Sequence, residues 1–500
     1  MNMSGKKMCG LMLVFVLWLS GASWLTAQNA PTEPTRFQFD VEPVNPDKSK
    51  TPGSDLITPM NSQPLNIDEA LDKRLKIMGR PAKNAILVVG DGMDAAAIRL
   101  ARDVLVGPEK RLYLDQLPVI GRMISIPADG SVSDSPSAAT ALATGKPGLL
   151  KKISLDKDGR ALTTLFEFAK QQKFRVGLVT DTRVTHATPA AFGAHVAERD
   201  EEATIAQHLI ENEFHVLLGG GRKFFLPQDK GGARTDGSNM LDKAILRGFT
   251  VVGSKKELAE TTSKRADKVL GLFGYSFIPY SWEKESPEQP TLAEMSAAAL
   301  TLLGASGNRF VLMVEAGRID IANHARDAAE LVNQMKALDD AMAVLIDYVK
   351  AQPDTLLVVV SDHATGNWGL TNHFSAETFR RTATSTMALC RSVKHNKEAA
   401  LELVKTAFPG IELTKAELDK LAAVTEKYDL EAILGQMLFR KLGLDSLDYD
   451  LEKGYKAAAG HTGEDLFVHA MGAHQNLFGG VMNIWDIPEK MAAALGLAFP

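Results

Sequence analysis

Four strongly apolar runs set the frame of the chain. Ala85-Ile86-Leu87-Val88-Val89-Gly90 is followed by Asp91, and Arg175-Val176-Gly177-Leu178-Val179-Thr180 by Asp181. Phe310-Val311-Leu312-Met313-Val314 is followed by Glu315, and Thr355-Leu356-Leu357-Val358-Val359-Val360-Ser361 by Asp362. Runs this apolar, without polar alternation, predict strands buried on both faces and hence a parallel sheet. Helical periodicity lies between them, as in Thr163–Gln171 and Ala328–Val349. The expected fold is therefore α/β, a three-layer sandwich with a mainly parallel central sheet. From His373 to Lys456 the pattern changes to charged, Leu/Ala-rich helical stretches such as Lys415–Lys427 and Asp429–Leu442, which predicts a mostly helical insertion or cap over about residues 374–456.

In an open parallel sheet, the residues just past the carboxyl ends of the strands line the ligand crevice. Four acids are thus expected at one sheet edge. Helix capping explains any one of them, but does not easily explain why all four runs end in an acid. Carboxylates gathered at one edge repel each other unless cations neutralise them.

The histidines indicate which cations. Asp320 and His324 are spaced i and i+4, on one side of a helical turn. Asp362-His363 sits at a strand end, and His461 lies in Gly460-His461-Thr462-Gly463-Glu464-Asp465, just before the strand-like Leu466–Ala470. Three of the eleven histidines thus fall beside acids at strand ends. Mixed His/Asp ligation suits zinc, and oxygen-only ligation suits magnesium.

The candidate nucleophile lies in Val132-Ser133-Asp134-Ser135-Pro136-Ser137-Ala138-Ala139-Thr140-Ala141. Ser135 reads as a helix N-cap, with Pro136 at the first helical position and a helix-forming Ala run behind it. A plain capping serine satisfies this pattern by itself. The sharper reading places the hydroxyl beside unpaired N–H groups at the positive end of a helix, a site for a phosphate. Such a serine needs a base or a metal ion to become a nucleophile, and the chain offers metal ligands rather than an obvious base partner. His186-Ala187-Thr188-Pro189 follows the second apolar run, and Arg199 beyond it could hold a phosphate dianion with its bidentate fork. Leu217-Leu218-Gly219-Gly220-Gly221-Arg222 lacks the P-loop lysine spacing and reads as a packing turn rather than a phosphate loop.

Composition changes this picture little: 45% hydrophobic, 23% charged, formal net charge -5 over 500 residues, with no basic surplus for nucleic acid. The N-terminus adds more. Lys6 and Lys7 precede an apolar run from Leu11 to Leu25, with Thr26 and Ala27 after it. This is the layout of a secretory signal peptide, over residues 1–27. The run is short for a membrane span and is broken by Ser20, Gly21 and Ser23, so cleavage near Ala27 is preferred to a retained anchor. Cleavage removes two lysines and no acids, taking the net charge from -5 to -7. It also removes Cys9 and leaves Cys390 alone, so the exported chain can form no internal disulfide. Residues 28–65 are Pro-rich and read as an arm or linker, in which Phe37, Phe39 and Val41 alternate. A single catalytic domain is expected over residues 66–500.

Taken together, Asn84–Met93, Val132–Thr140, Thr185–Ala190, Leu217–Arg222, Val314–Asp320 with His324, Ser361-Asp362-His363 and Gly460–Asp465 resemble, in order, the motifs of alkaline phosphatases. The likeness runs from about Lys83 to Asn483, outside the helical insertion. It implies hydrolysis of phosphate monoesters at alkaline pH through a phosphoserine on Ser135, with two Zn²⁺ and one Mg²⁺ per chain. It implies Asp320, His324 and His461 as ligands of the first zinc, and Asp91, Asp362, His363 and the Ser135 oxygen as ligands of the second. Asp91, Thr188 and Glu315 would hold magnesium, and Arg199 would clamp the phosphate with His186 nearby. It further implies a homodimer, periplasmic or secreted, acting on small phosphomonoesters.

The chain departs from the family pattern at Pro136 after the serine, at Asp94, at His186, at Ile321 beside Asp320, and at Gly366-Asn367-Trp368. Trp368 either covers the pocket or packs as a structural residue. A phosphodiesterase of the same metal core is the rival reading; Ser135, Arg199, Thr188 and Glu315 favour the monoesterase. A metal-free Ser-His-Asp acyl hydrolase would need a G-x-S-x-G elbow, which is absent. A silent metal- or phosphate-binding protein is disfavoured because every ligand position is filled.

Overall fold

In the computed structural model, which describes residues 80–280, 288–393, 399–423, 427–446 and 460–500, the apolar runs become the centre of one sheet. The residues read as a signal peptide and a Pro-rich arm, and part of the helical stretch, lie outside the described residues. The strands are β1 (Asn84–Gly90), β2 (Val119–Ile124), β3 (Arg175–Arg183), β4 (Val216–Gly220), β5 (Phe249–Val252), β6 (Lys268–Leu272), β7 (Phe310–Ala316) and β8 (Thr355–Ser361). After them come β9 (Ala364–Thr365), β10 (Trp368–Leu370), β11 (Leu444–Ser446), β12 (His461–Thr462), β13 (Leu466–Gly472) and β14 (Gly480–Asn483). Ten form a single sheet in the order β14-β2-β13-β8-β1-β7-β3-β4-β6-β5. The run from β8 to β5 is parallel throughout. β13 runs antiparallel to both β8 and β2, so the sheet is mainly parallel.

The four acid-tailed runs are neighbours, β8-β1-β7-β3, in the middle of this sheet. Their side chains are buried on both faces, as the lack of alternation requires. Ile86, Val88, Leu312, Val314, Leu357 and Val359 pack on one face with residues of the helices Leu292–Leu303 and Ala328–Ala351. Leu87, Val89, Val311, Met313, Val358 and Val360 pack on the other with the helix Ser135–Thr144 and the helix Asp486–Ala494. Each such side chain removed from water contributes about 1.5–3 kcal/mol, which makes this double-sided core the rigid base of the site.

Register delivers the acids side by side. Gly90 pairs with Ser361, so Asp91 and Asp362 leave the sheet together, while Glu315 pairs with both Val89 and Thr180. One expectation needs correction here. Asp181 does not point into the crevice with the others, because β3 continues past it to Arg183. Its carboxylate instead accepts the N–H groups of Gly317 and Arg318, at 2.8 and 3.1 Å.

The glycine run is a packing turn. A Cβ on Gly220 would lie 2.2 Å from the Ser276 carbonyl oxygen, and one on Gly219 would lie 2.7 Å from Thr180. Between β10 and β11 the chain forms the helices Ala376–Arg380, Thr386–Val393, Ala399–Ala407, Lys415–Ala423 and Lys427–Lys441. β11 returns antiparallel to β10, which roots these helices beside the site.

Candidate active site

The helix carrying Ser135 is built by its neighbour. Asp134, not Ser135, is the N-cap: its carboxylate accepts the Ser137 N–H at 3.0 Å, and its own N–H donates to the Ser137 hydroxyl at 3.2 Å. This reciprocal box moves the cap one residue earlier than the sequence pattern indicates. The Ser135 hydroxyl is therefore not consumed in capping. Pro136 falls in the first turn, where its missing N–H leaves no intrahelical bond unmade. The Asp134 carboxylate also accepts the Lys151 N–H, and the Lys151 carbonyl accepts the N–H of Arg199. The Ser135 helix and Arg199 are thereby tied through one backbone segment.

Ser135 is buried, and its Oγ lies 3.1 Å from Nε2 of His363. That same nitrogen lies 3.3 Å from Asp362 Oδ2 and 3.5 Å from Asp91 Oδ1. The His363 ring stacks on His461 with centroids 3.8 Å apart. His461 Nε2 lies 3.2 Å from His324 Nε2 and 3.9 Å from Asp320 Oδ1, and His324 Nε2 lies 3.3 Å from Asp320 Oδ2. Among the described residues, three groups bring ligand atoms within 4.8 Å of one another: Asp320 with His363 and His461, Asp91 with Asp362 and His363, and Asp91 with His186 and Glu315. Thr188 donates to Asp91 Oδ2 at 3.4 Å. Arg199, half-buried, places Nη2 2.9 Å from His186 Nε2. All eleven residues singled out in the sequence thus meet in one connected cluster. Ile321, half-buried beside Asp320, brings no polar group to it.

The electrostatics suit a cation. Burial, then the charges of Asp362, Asp320 and Glu315, push the Asp91 carboxyl well above its ordinary value. Burial pushes Glu315 up to about 8 and Asp362 to about 7. Burial works on Asp320 as well, but the imidazoles of His324, His363 and His461 outweigh it and hold that carboxyl below its ordinary value. Burial drives His363 and His461 down to about 4, so both present neutral, ligand-type nitrogens. Asp91 Oδ1, Asp362 Oδ2, Glu315 Oε1 and His186 Nδ1 are buried and have no hydrogen-bond partner among the described residues. Buried oxygens left bare in this way cost free energy that a metal ion recovers, so the donor set fits metal ions.

The sequence reading missed two residues that orient this cluster. The Thr365 hydroxyl donates to Asp320 Oδ1 at 2.7 Å and lies 3.1 Å from His363 Nδ1. With its proton committed to Asp320, it accepts from Nδ1–H and leaves His363 Nε2 free as a ligand. Its signal was its place two residues after His363, on the same side of an extended chain. Asn323, buried between Asp320 and His324 on the helix Arg318–His324, donates to the Gly92 carbonyl at 3.0 Å. Trp368 is buried, donates to Asn323 Oδ1 at 3.0 Å, and packs edge-on against Phe439 of the helix Lys427–Lys441. Of the two roles left open for Trp368, the structure selects the packed one.

His363 does not complete an acyl-hydrolase triad. Its Nδ1 faces a threonine rather than a carboxylate, and burial makes it a weak base for a serine proton. A serine held against carboxylate and imidazole donors, at the carboxyl edge of a parallel sheet, instead defines a metallohydrolase. The alkaline phosphatase family model matches residues 82–497. A membrane-bound alkaline phosphatase of Bombyx mori is 30% identical over 463 residues, covering 83% of this chain and 80% of that protein. Alkaline phosphatase 3 of Bacillus subtilis is 29% identical over 438 residues, covering 83% of this chain and 89% of that protein. The crystal structure of Thermus thermophilus alkaline phosphatase matches with a TM-score of 0.72 at 28% identity, covering 84% of this chain and 93% of that one.

The chain belongs to the alkaline phosphatase family. It is an enzyme that hydrolyses phosphomonoesters, and the diesterase alternative is not favoured. Among the described residues, no helix is long and apolar enough to cross a membrane.

Proposed function

We propose that Ser135 is the nucleophile and passes through a phosphoserine, with two zinc ions and one magnesium ion held by the three donor groups. The observation that carries this reading is the Ser135 Oγ, 3.1 Å from the His363 imidazole, which lies close to Asp91 and Asp362 on one side and to Asp320 and His461 on the other. Asp320, His324 and His461 form the donor set of the first zinc; Asp91, Asp362, His363 and the Ser135 oxygen form that of the second. Asp91, Thr188 and Glu315 would hold magnesium, with His186 Nδ1 facing the same group. When bound, the ions supply Lewis-acid charge that lowers the pKa of serine and water and offsets charge on the entering and leaving oxygens.

The chain's own residues do the rest. Ser135 Oγ bonds to phosphorus as the ester P–O bond breaks, and the departing alcohol takes a proton. Water then adds to the phosphoserine, the serine oxygen regains its proton, and inorganic phosphate leaves. Arg199 binds two non-bridging oxygens through its fork, held in aim by His186. The N–H of Ser135 itself, at the positive end of this helix, supports the same oxygens.

The same reading makes residues 1–27 a cleaved signal peptide, 28–65 an arm and 66–500 the catalytic domain with its helical insertion. The mature enzyme would work as a homodimer in the periplasm or outside the cell. These points are supported by the Lys6-Lys7 and Leu11–Leu25 pattern and by the family.

The test is hydrolysis of an aryl phosphate at alkaline pH by protein exported from its host, beside an aryl diester. Chelation should abolish monoester turnover, zinc with magnesium should restore it, and Ser135→Ala should lower kcat by roughly three orders of magnitude. The exported chain should start near residue 28 and elute as a dimer. Turnover that survives chelation, or a Ser135→Ala variant of near-normal rate, would sink the mechanism.

A further inference from the structure

One small chain of hydrogen bonds joins three of the segments that carry proposed metal donors, those of Asp91, of Asp320 with His324, and of Asp362 with His363, to the helical insertion. The Gly92 N–H, next to Asp91 at the end of β1, donates to Asp362 Oδ1 at 3.1 Å. The Gly92 carbonyl accepts from Asn323 Nδ2 at 3.0 Å, and Asn323 lies between Asp320 and His324 on one helical turn. The other end of that amide, Oδ1, accepts from Trp368 Nε1 at 3.0 Å. Trp368 opens β10, downstream of Asp362, His363 and Thr365, and its ring meets Phe439 edge-on with centroids 5.1 Å apart.

The backbone is shaped to admit this indole. Gly366 has φ +99°, and a Cβ there would lie 2.7 Å from Trp368 Cδ1. A side chain at position 366 would push the indole off Asn323. Gly92 is similarly confined: it has φ +67°, and a Cβ there would lie 2.9 Å from Asp320 and from Thr365 Oγ1. Asn323 is 1% exposed and Trp368 8%, so water does not readily substitute for either bond.

We infer that Trp368 is a positioning residue through which the helical insertion holds the metal donors in register. Its indole N–H fixes the Asn323 amide, and that amide clamps the Gly92 peptide between Asp91 and Asp362 on one side and the Asp320–His324 turn on the other. Outer partners of this type orient the ligating groups, and their loss lowers metal affinity without removing a ligand. The inference rests on the metal reading above and deepens it by giving the insertion a task at the same site.

Trp368→Phe tests it, because phenylalanine keeps an aromatic ring against Phe439 and deletes only the N–H. Purified wild-type and variant proteins are loaded with zinc and magnesium, and zinc release to a chelating dye is followed well below the unfolding temperature. Tm is measured separately on the chelated forms. The variant should release zinc on the order of tenfold faster, while the chelated Tm stays within a few degrees of wild type. Asn323→Leu, which removes both bonds, should release it at least as fast. Release at the wild-type rate, or a lowered chelated Tm without faster release, overturns the positioning role. A wild type that takes up no zinc overturns the metal reading and this inference with it. A wild type that holds zinc as tightly as the variant overturns the inference alone.

Discussion

Asp94, one of the positions at which the chain departs from the family pattern, has a structural task of its own. In the structure it is the N-cap of the helix Ala95–Leu105, accepting the Ala97 N–H at 2.7 Å, and it is only 2% exposed. Burial pushes its carboxyl up to about 7, against the opposing N–H bonds of Ala97 and Ala96, with Glu464 adding to the rise. A carboxyl whose folded pKa lies above its unfolded value of 3.8 binds more protons in the native state. Its contribution to stability therefore falls as pH rises from about 4 through 7 and is flat beyond. Asp94→Asn keeps a cap of similar quality and removes the titration. The variant should gain stability over wild type from pH 5 to pH 8, by up to ~4 kcal/mol at the upper end. Denaturant unfolding of both proteins at the two pH values measures it, and a difference that does not grow with pH refutes the assignment.

Among the elements, the Ser135 helix carries the clearest consequence of local sequence. The Asp134–Ser137 box sets its start, and Pro136 fixes φ in the first turn where no N–H is needed. Because the native backbone already suits proline there, Pro136→Ala should destabilise by about 0.4–1 kcal/mol, acting mainly through the unfolded chain. kcat should stay within roughly twofold, since Ser135 is held by the cap and not by the pyrrolidine ring. Thermal unfolding and steady-state kinetics on one preparation decide this, and a large loss of kcat would mean that Pro136 shapes the nucleophile turn. The same element marks how far the sequence was legible. Apolar runs without alternation determine strand burial, so the four central strands and the edge where Asp91, Glu315 and Asp362 gather could be read directly. Spacing along one helix gave Asp320 with His324. The cap position slipped by one residue because Asp134 and Ser135 are both good caps and only the reciprocal bond with Ser137 decides between them. Asp181 looked like its three counterparts because the extra residues of β3 leave no mark in hydropathy. Asn323 and Trp368 act through a contact 45 positions apart in sequence, which no local pattern encodes, and of Thr365 only its place beside His363 was local, its bond to Asp320 being equally distant.

Seen as one molecule, the protein keeps its most costly charges at the centre of its sheet. The cysteine that would remain in a mature chain, Cys390, is buried and forms no disulfide among the described residues, so none offsets that cost. In metal-free protein, the groups of the site act in opposite pH ranges. His363 and His461, pushed down by burial to about 4, bind fewer protons when folded, so their contribution grows as pH rises to about 6.5 and is then constant. Asp320, held below its ordinary value, has already delivered its full contribution by then. Asp362 and Glu315, raised to about 7 and 8, and Asp91, also raised, bind more protons when folded, so their contribution falls as pH rises toward 8. His195, raised through its bond to Glu167 against the pull of burial, falls in the same direction. Above pH 6.5 only the falling terms remain. Chelated protein should therefore lose Tm between pH 6.5 and pH 8.5, by roughly 5 °C. On the proposed ligand assignment, bound zinc and magnesium would neutralise the same carboxylates and favour the folded state by mass action, more so as the ligands deprotonate. Loaded protein should accordingly hold or raise its Tm across that window. Parallel thermal scans of chelated and reloaded samples measure the divergence. If the two curves fall together with pH, the buried carboxylates are not the ligands, and the cluster at the sheet edge must be stabilised by something other than metal.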